Sequence, residues 1–164
     1  VNDHIDMAVR IDTLPDSTMV ATRVGTMRTV ICASPQLLAK HGTPKVPDDL
    51  SGIPCVSFEL VTPSPSWRFP GPKLTSFLDV PVRVRLSVTT AEAAVDAAIA
   101  GIGATRVLRY QAAAAIARGD LRPILEDHEP EPLPINLVHA GPGRMPLKMR
   151  SFLDFAASRL RARL

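Results

Sequence analysis

The sequence predicts an α/β fold built on a mostly parallel sheet, and three observations carry that prediction. Strand-like and helical runs alternate through the middle of the 164-residue chain, the pattern of βαβ units. Val82, Val84, Leu86 and Val88 alternate with Arg83, Arg85 and Ser87, a period of two that marks a half-buried strand. Ala91, Ala94, Val95, Ala98, Ile99 and Ile102 then recur at helical spacing, with Glu92 and Asp96 opposite them.

The elements follow in order. Met7, Val9 and Ile11 alternate with Ala8 and Arg10 as a strand, and Pro15-Asp16-Ser17 is a turn cluster. Thr29-Val30-Ile31-Cys32 reads as a buried strand. Ser34-Pro35 opens a helix, because serine is a favoured N-cap and proline suits the first helical position. Gly42 closes that helix. Cys55-Val56-Ser57-Phe58 is the next strand. Pro63 to Pro72 holds four prolines and the only tryptophan, so it is irregular or an edge hairpin. Thr89-Thr90-Ala91-Glu92 reads as a capping box with Thr89 as the cap. Ala104 to Leu108 is a short strand, and Tyr110, Ala113, Ala114 and Ala117 define a further helix that Arg118-Gly119 ends. Pro123-Ile124-Leu125 is a short strand, and Glu126 to Pro134 reads as an acidic, proline-rich linker. Ile135-Asn136-Leu137-Val138 is a strand. After Gly141-Pro142-Gly143, the last helix places Met149, Phe152, Leu153, Ala156 and Leu160 on one face.

Composition bounds the function. Hydrophobic residues make up 46% and charged residues 21%, which provides a core and excludes a disordered chain. The net charge is only +3, and its densest region, Lys148, Arg150, Arg159, Arg161 and Arg163, reads as the solvated face of the last helix, with no nucleic-acid-binding motif beside it. Cys32 and Cys55 sit in apolar runs at a spacing that fits no zinc or thioredoxin pattern, so they are expected to be small buried hydrophobes, as suits a reducing compartment. With no signal peptide and no apolar run long enough to span a bilayer, a cytoplasmic location without a membrane partner is expected. The opening Val1-Asn2-Asp3-His4 runs almost directly into a strand pattern, which reads as a cut inside a domain.

The motifs of catalysis are missing. There is no nucleophile elbow, no P-loop and no dinucleotide fingerprint, since Gly101-Ile102-Gly103 ends a helix where the fingerprint would begin one. His128-Glu129 is followed by prolines at 130 and 132, which rules out a helical zinc site. His41 and His139 stand alone. No catalytic residue, metal or cofactor is expected. The best candidates are the helix starts Ser34-Pro35 and Thr89-Thr90, read as gripping a small carboxylate between them. Each follows a strong strand, and a helix N-terminus offers unpaired amides and a partial positive charge. Ordinary capping explains the same residue types, so on residues alone both readings stay open.

Taken together the motifs resemble a known family. Ile5-Asp6-Met7-Ala8-Val9-Arg10-Ile11, Leu14-Pro15-Asp16-Ser17, Cys32-Ala33-Ser34-Pro35 and Pro47-Asp48-Asp49-Leu50 lead the series. Ala100-Gly101-Ile102-Gly103-Ala104-Thr105-Arg106, Tyr110-Gln111, Ala117-Arg118-Gly119-Asp120-Leu121 and Lys148-Met149-Arg150-Ser151-Phe152-Leu153-Asp154-Phe155 complete it. In this order they resemble the effector-binding domain of LysR-type transcriptional regulators, over essentially the whole chain. The resemblance implies a two-lobed, periplasmic-binding-protein-like fold with an effector in the cleft. Its first lobe, about 1–30 and 135–164, would be incomplete, lacking its opening strand and helix. Its second lobe would be about 34–130. It implies effector contacts at Ser34, with Pro35 beside it, and at Thr89 and Thr90. Ile11, Asp12 and Arg106 complete the candidate set, Arg106 standing where the family has an apolar residue. The partners it implies are a small-molecule effector, a second copy in a homodimer or tetramer of the longer protein, and DNA only through an N-terminal helix-turn-helix absent from this chain. A stand-alone solute-binding protein of transport type is the alternative.

Overall fold

The computed structural model describes residues 6–14, 19–58, 66–71, 76–140 and 145–162. The turn at Pro15-Asp16-Ser17, the Gly141-Pro142-Gly143 break and Arg163 lie outside the described residues. The chain divides into two compact units, one formed by residues up to Met27 and from Pro132 onward, the other by Arg28–Glu131.

In the first unit, β1 (Met7–Ile11), β2 (Val20–Met27) and β10 (Leu133–His139) form an antiparallel sheet in the order β1-β10-β2. Helix α4 (Leu147–Arg161) lies along it, and Ala157, Leu153, Ala156 and Leu160 pack against Val24, Ile135 and Leu137. A bulge opposite Ile135/Asn136 lets Val24 turn into this core. The predicted apolar stripe of α4 is only partly used. Phe152, Phe155 and Leu147 remain exposed, and Arg159 stacks on Phe155 at 4.6 Å. Lys148, Arg150, Arg159 and Arg161 are all exposed, as the charge pattern predicts.

The second unit is a five-stranded sheet between two apolar layers. Its strands are β3 (Thr29–Ala33), β4 (Pro54–Phe58), β7 (Arg83–Val88), β8 (Ala104–Leu108) and β9 (Arg122–Ile124), in the order β7-β4-β8-β3-β9. Helices α2 (Ala91–Ile99) and α3 (Arg109–Arg118) cover one face, burying Ala91, Ala94, Val95, Ala98, Ala112 and Ala115 against Val30, Cys32, Val56 and Val107. The other face carries α1 (Pro35–His41), a 3-10 turn over Pro47–Gly52 and a hairpin of β5 (Ser66–Pro70) and β6 (Phe77–Pro81). Trp67, Phe69 and Val80 of the hairpin join that core, so the described part of the proline-rich stretch, residues 66–71, belongs to a hairpin, and its positions 63–65 and 72 lie outside the described residues. Arg68 and Asp79 face each other across it at 2.9 Å.

Several expectations need correction. The sheet is mixed, not mostly parallel: β4 runs parallel to β7 and β8, whereas β3 is antiparallel to β8 and β9. The physical reason is the path from β3 to β4: α1 and the 3-10 turn bury Leu37, Leu38 and Leu50 in the same apolar layer, so the connection stays on one face and returns to the edge it left. It enters β4 from the edge where β3 ended. The alternation in β7 does not put four residues on one face. A register shift between Cys55 and Val56 sends Val84 to the hairpin-side core and Val88 to the α2 side, while Leu86 stays exposed at the sheet edge. The cap of α2 is Thr90, not Thr89. Its Oγ1 accepts from the Ala93 amide at 3.2 Å, so Glu92 is one position too early for a capping box. In α3 the buried face is Ala112 and Ala115, not Ala113, Ala114 and Ala117, because an alanine run carries no period to read. Gly119 ends α3 in the left-handed region (φ 81°), as predicted. The linker predicted over Glu126 to Pro134 is shorter than expected, since a 3-10 turn over Glu126–His128 opens it and β10 begins at Leu133.

One contact fixes how closely β8 begins beside β4. A Cβ on Gly103 would come within 2.8 Å of the Pro54 carbonyl oxygen, a backbone neighbour that cannot move aside. Gly103→Ala is therefore expected to destabilise the second unit by about 1–3 kcal/mol through overpacking. The urea midpoint checks this, and an unchanged midpoint would show that the two strands are not so tightly apposed.

Candidate functional site

Strand direction decides which predicted residues meet. Because β4, β7 and β8 are parallel, their carboxyl ends share one edge of the sheet. There β7 runs into Thr89-Thr90 and β8 runs into Arg109, the first residue of α3. The reversed strand β3 begins at this edge and ends at the other. Thr29 is level with Leu108, and Cys32 with Thr105.

Ser34-Pro35 and Thr89-Thr90 therefore lie at opposite ends of the sheet, separated by the length of a five-residue strand, roughly 17 Å. They cannot hold one small ligand between them. Ser34 is buried, and its Oγ accepts from the Leu37 amide at 3.3 Å to cap α1, with Pro35 half-buried behind it. Capping explains this pair fully.

Arg106 is also committed. It stands on β8 with its guanidinium 5.4 Å from the centre of the Trp67 ring, and its Nη1 donates to the Arg68 carbonyl at 3.0 Å. The side chain ties the hairpin to the main sheet. Ile11 and Asp12 belong to the first unit. Ile11 packs in that core, and the exposed Asp12 carboxylate accepts from the Thr13 amide at 2.7 Å. Of the five candidates in the second unit, only Thr89 and Thr90 stand at the carboxyl edge of its sheet, both exposed.

That edge has further members that the sequence reading passed over. The amide of Arg109 donates to the Arg28 carbonyl at 2.9 Å, which sets the two arginines side by side. Arg28 Nη1 lies 3.7 Å from Glu129 Oε2, and Arg109 Nη1 lies 3.7 Å from Glu129 Oε1 and 3.5 Å from Glu126 Oε1. Glu129 falls in the acidic, proline-rich stretch that the sequence predicts to be a linker, yet its side chain is only 8% exposed. Leu125, buried and in the left-handed region at φ 57°, turns the chain so that Glu126 and Glu129 come back toward the arginines. A signal for this was available: a cation in the first turn of a helix opposes the helix dipole and needs a carboxylate nearby. Ser57, one residue from the carboxyl end of β4, also went unnoticed. Its buried hydroxyl has no hydrogen-bond partner among the described residues.

The remaining chemistry is quiet. No group of three or more metal-ligating side chains occurs among the described residues. His139 is buried with Nδ1 2.9 Å from the Ala140 carbonyl, and His41 is exposed at the end of α1. No helix of the described residues is long and apolar enough to cross a membrane. Cys32 and Cys55 are buried and free, and burial pushes both thiols up to about 12.

The comparisons agree with this architecture. Residues 1–161 match the LysR substrate binding domain, and the chain belongs to that family. LtrA of Klebsiella pneumoniae is 28% identical over 158 residues, which are 94% of this chain and 50% of that protein. The HTH-type transcriptional activator AaeR of Escherichia coli K12 is 27% identical over 154 residues, 94% of this chain and 49% of that protein. Among solved structures, the regulatory domain of CrgA, a LysR-type transcriptional regulator from Neisseria meningitidis, superposes with a TM-score of 0.77 at 27% identity. The match covers 95% of this chain and 76% of that one. The chain thus spans about half the length of the curated relatives it matches.

The raised thiols give a pH prediction. The unfolded thiol ionises near 9 and the folded one near 12, so the unfolded state sheds protons first as pH rises. The cysteine contribution to stability is complete below about pH 8 and is lost progressively from pH 9 toward 12. Urea midpoints measured across that range should show a shallower alkaline decline in Cys32→Ala/Cys55→Ala than in the parent. An identical decline in both would mean that the thiols are not buried as described.

Proposed function

We propose that this chain is the effector-sensing part of a longer LysR-type transcriptional regulator and that it acts by binding, without catalysis. The observation that carries the reading is the family match across residues 1–161. The mixed sheet supports it by offering one edge at which two helices begin. The ligand class proposed is a small carboxylate or aromatic acid, bound at the carboxyl edge of the second unit's sheet beside Thr89 and Thr90. Ligands of open α/β sheets collect beyond the carboxyl ends of the strands. There an anion meets the amino ends of α2 and α3, whose dipoles favour negative charge.

In the longer protein, a homodimer or tetramer in the cytoplasm, effector binding favours one of two conformations and so changes how DNA is held. The coupling equals the effector's difference in affinity for the two conformations. DNA contact belongs to a helix-turn-helix outside this chain, of the kind named for the HTH-type relative AaeR.

A thermal-shift screen of small carboxylates and aromatic acids on the longer protein tests the reading. At least one compound should raise the melting midpoint by several degrees at a concentration about a hundredfold above its Kd, the scale of ligand stabilisation there being about 2.7 kcal/mol. Thr89→Ala should weaken that response without lowering the ligand-free midpoint, because Thr89 caps no helix. If no compound class stabilised the protein, or if Ser34→Ala abolished the response while Thr89→Ala left it whole, the edge assignment would be lost.

A further inference from the structure

The charge cluster at the carboxyl edge has an unusual internal balance. Arg28 and Arg109 converge on Glu129, yet neither contact is a hydrogen bond: both distances are 3.7 Å. Among the described residues, the Arg28 guanidinium donates no hydrogen bond, and that of Arg109 donates one, to Glu126 at 3.5 Å. Each guanidinium carries five N–H donors in a planar fork suited to a carboxylate, so most of this capacity is unspent. The two side chains are 57% and 46% exposed, so their donors are within reach of solvent. Glu129 presents the converse. It is 92% buried, and its Oε1 accepts no hydrogen bond. A buried carboxylate left so poorly satisfied is expensive.

We propose that Arg28 and Arg109 are the cationic pair that receives the carboxylate of an anionic effector, and that Glu129 holds this place in the ligand-free protein and is displaced when the effector binds. The proposal rests on the edge assignment made under Proposed function and deepens it. Strand order supports the placement. Arg28 immediately precedes β3 and Arg109 follows β8, neighbours in the sheet, while Thr89 follows β7 two strands from β8, a lateral distance of about 10 Å. A benzoate-sized acid spans part of that distance, with its carboxylate on the arginines and its ring toward the threonines. The exchange is balanced in charge: one carboxylate leaves the pair and another takes its place. It also gives binding a mechanical consequence. Glu129 lies two residues before the end of the second unit at Glu131, so its release loosens the segment through which the chain leaves this unit.

The test uses benzoate as the anionic probe and benzamide as its neutral counterpart, with calorimetric binding measured on the longer protein. The parent should bind benzoate more tightly than benzamide. Glu129→Gln should tighten benzoate about tenfold and leave benzamide unchanged, the scale of one charge-assisted hydrogen bond freed from competition. Arg28→Gln combined with Arg109→Gln should weaken benzoate about tenfold and erase the difference between the two probes. Should the double variant fail to fold, each single variant should still weaken benzoate several-fold. Thr89→Ala should weaken both probes. If Thr89→Ala weakens both probes but the arginine and glutamate variants leave the preference for benzoate as it was, the arginine assignment is wrong and the edge assignment stands. If neither probe responds to any of these variants, both are wrong. Weaker benzoate binding by Glu129→Gln would make Glu129 a structural clamp and overturn the competition.

Discussion

The reversed strand β3, locked in the sheet between β8 and β9, is the constraint on which the rest of the second unit depends. Its direction decides which loops share an edge. Because β3 starts where β4, β7 and β8 end, Arg28 is drawn to the side of Arg109, and a backbone bond of 2.9 Å holds them together. Because β3 ends at the opposite edge, Ser34 is turned away and spends its hydroxyl on its own helix. The same reversal brings β9 alongside, from which Leu125 redirects the chain so that Glu129 returns to the arginines.

The two apolar layers make that edge rigid in different ways. On one face α2 and α3 are packed largely through alanine, so they lie close to the sheet and their amino ends are held at a fixed height above it. On the other face larger groups do the work. Trp67 and Phe69 fill the space above Cys55 and Ala104, and Arg106 closes over the tryptophan while bonding to the hairpin backbone. An arginine in the body of a strand reads as a ligand contact when only the sequence is visible. In the folded chain it is the clasp of a small hairpin, and its stacking on an aromatic ring satisfies the charge without a ligand.

Much of this was legible in the sequence, and what was missed has physical causes. Ser34 before Pro35, the alanine and valine face of α2 and the Gly119 cap were readable because each is a local signal that its own element consumes. Long-range facts were not. Nothing in Thr29–Ala33 states its direction, since a strand buried on both faces looks the same either way, and the inference that a strand followed by a helix leads to a parallel neighbour failed because the whole connection to β4 packs on one face and returns to the edge it left. The face of α3 was invisible in a run of alanines, and the bulge at Cys55/Val56 rotated half of β7 without any mark in its alternation. The acidic stretch at Glu126–Glu131 misled because its composition is that of a solvated loop, whereas the partners that bury Glu129 come from two distant points, Arg28 and Arg109.

The central claim is that ligand recognition belongs to the edge where β4, β7 and β8 end and β3 begins. Amide hydrogen exchange on the longer protein, with and without a stabilising carboxylate, tests it most directly. The account predicts slowed exchange at the amino ends of α2 and α3, around residues 90–93 and 109–112, and none added over the α1 segment 35–41. Slowed exchange confined to 35–41, with the amino ends of α2 and α3 unaffected, would contradict it.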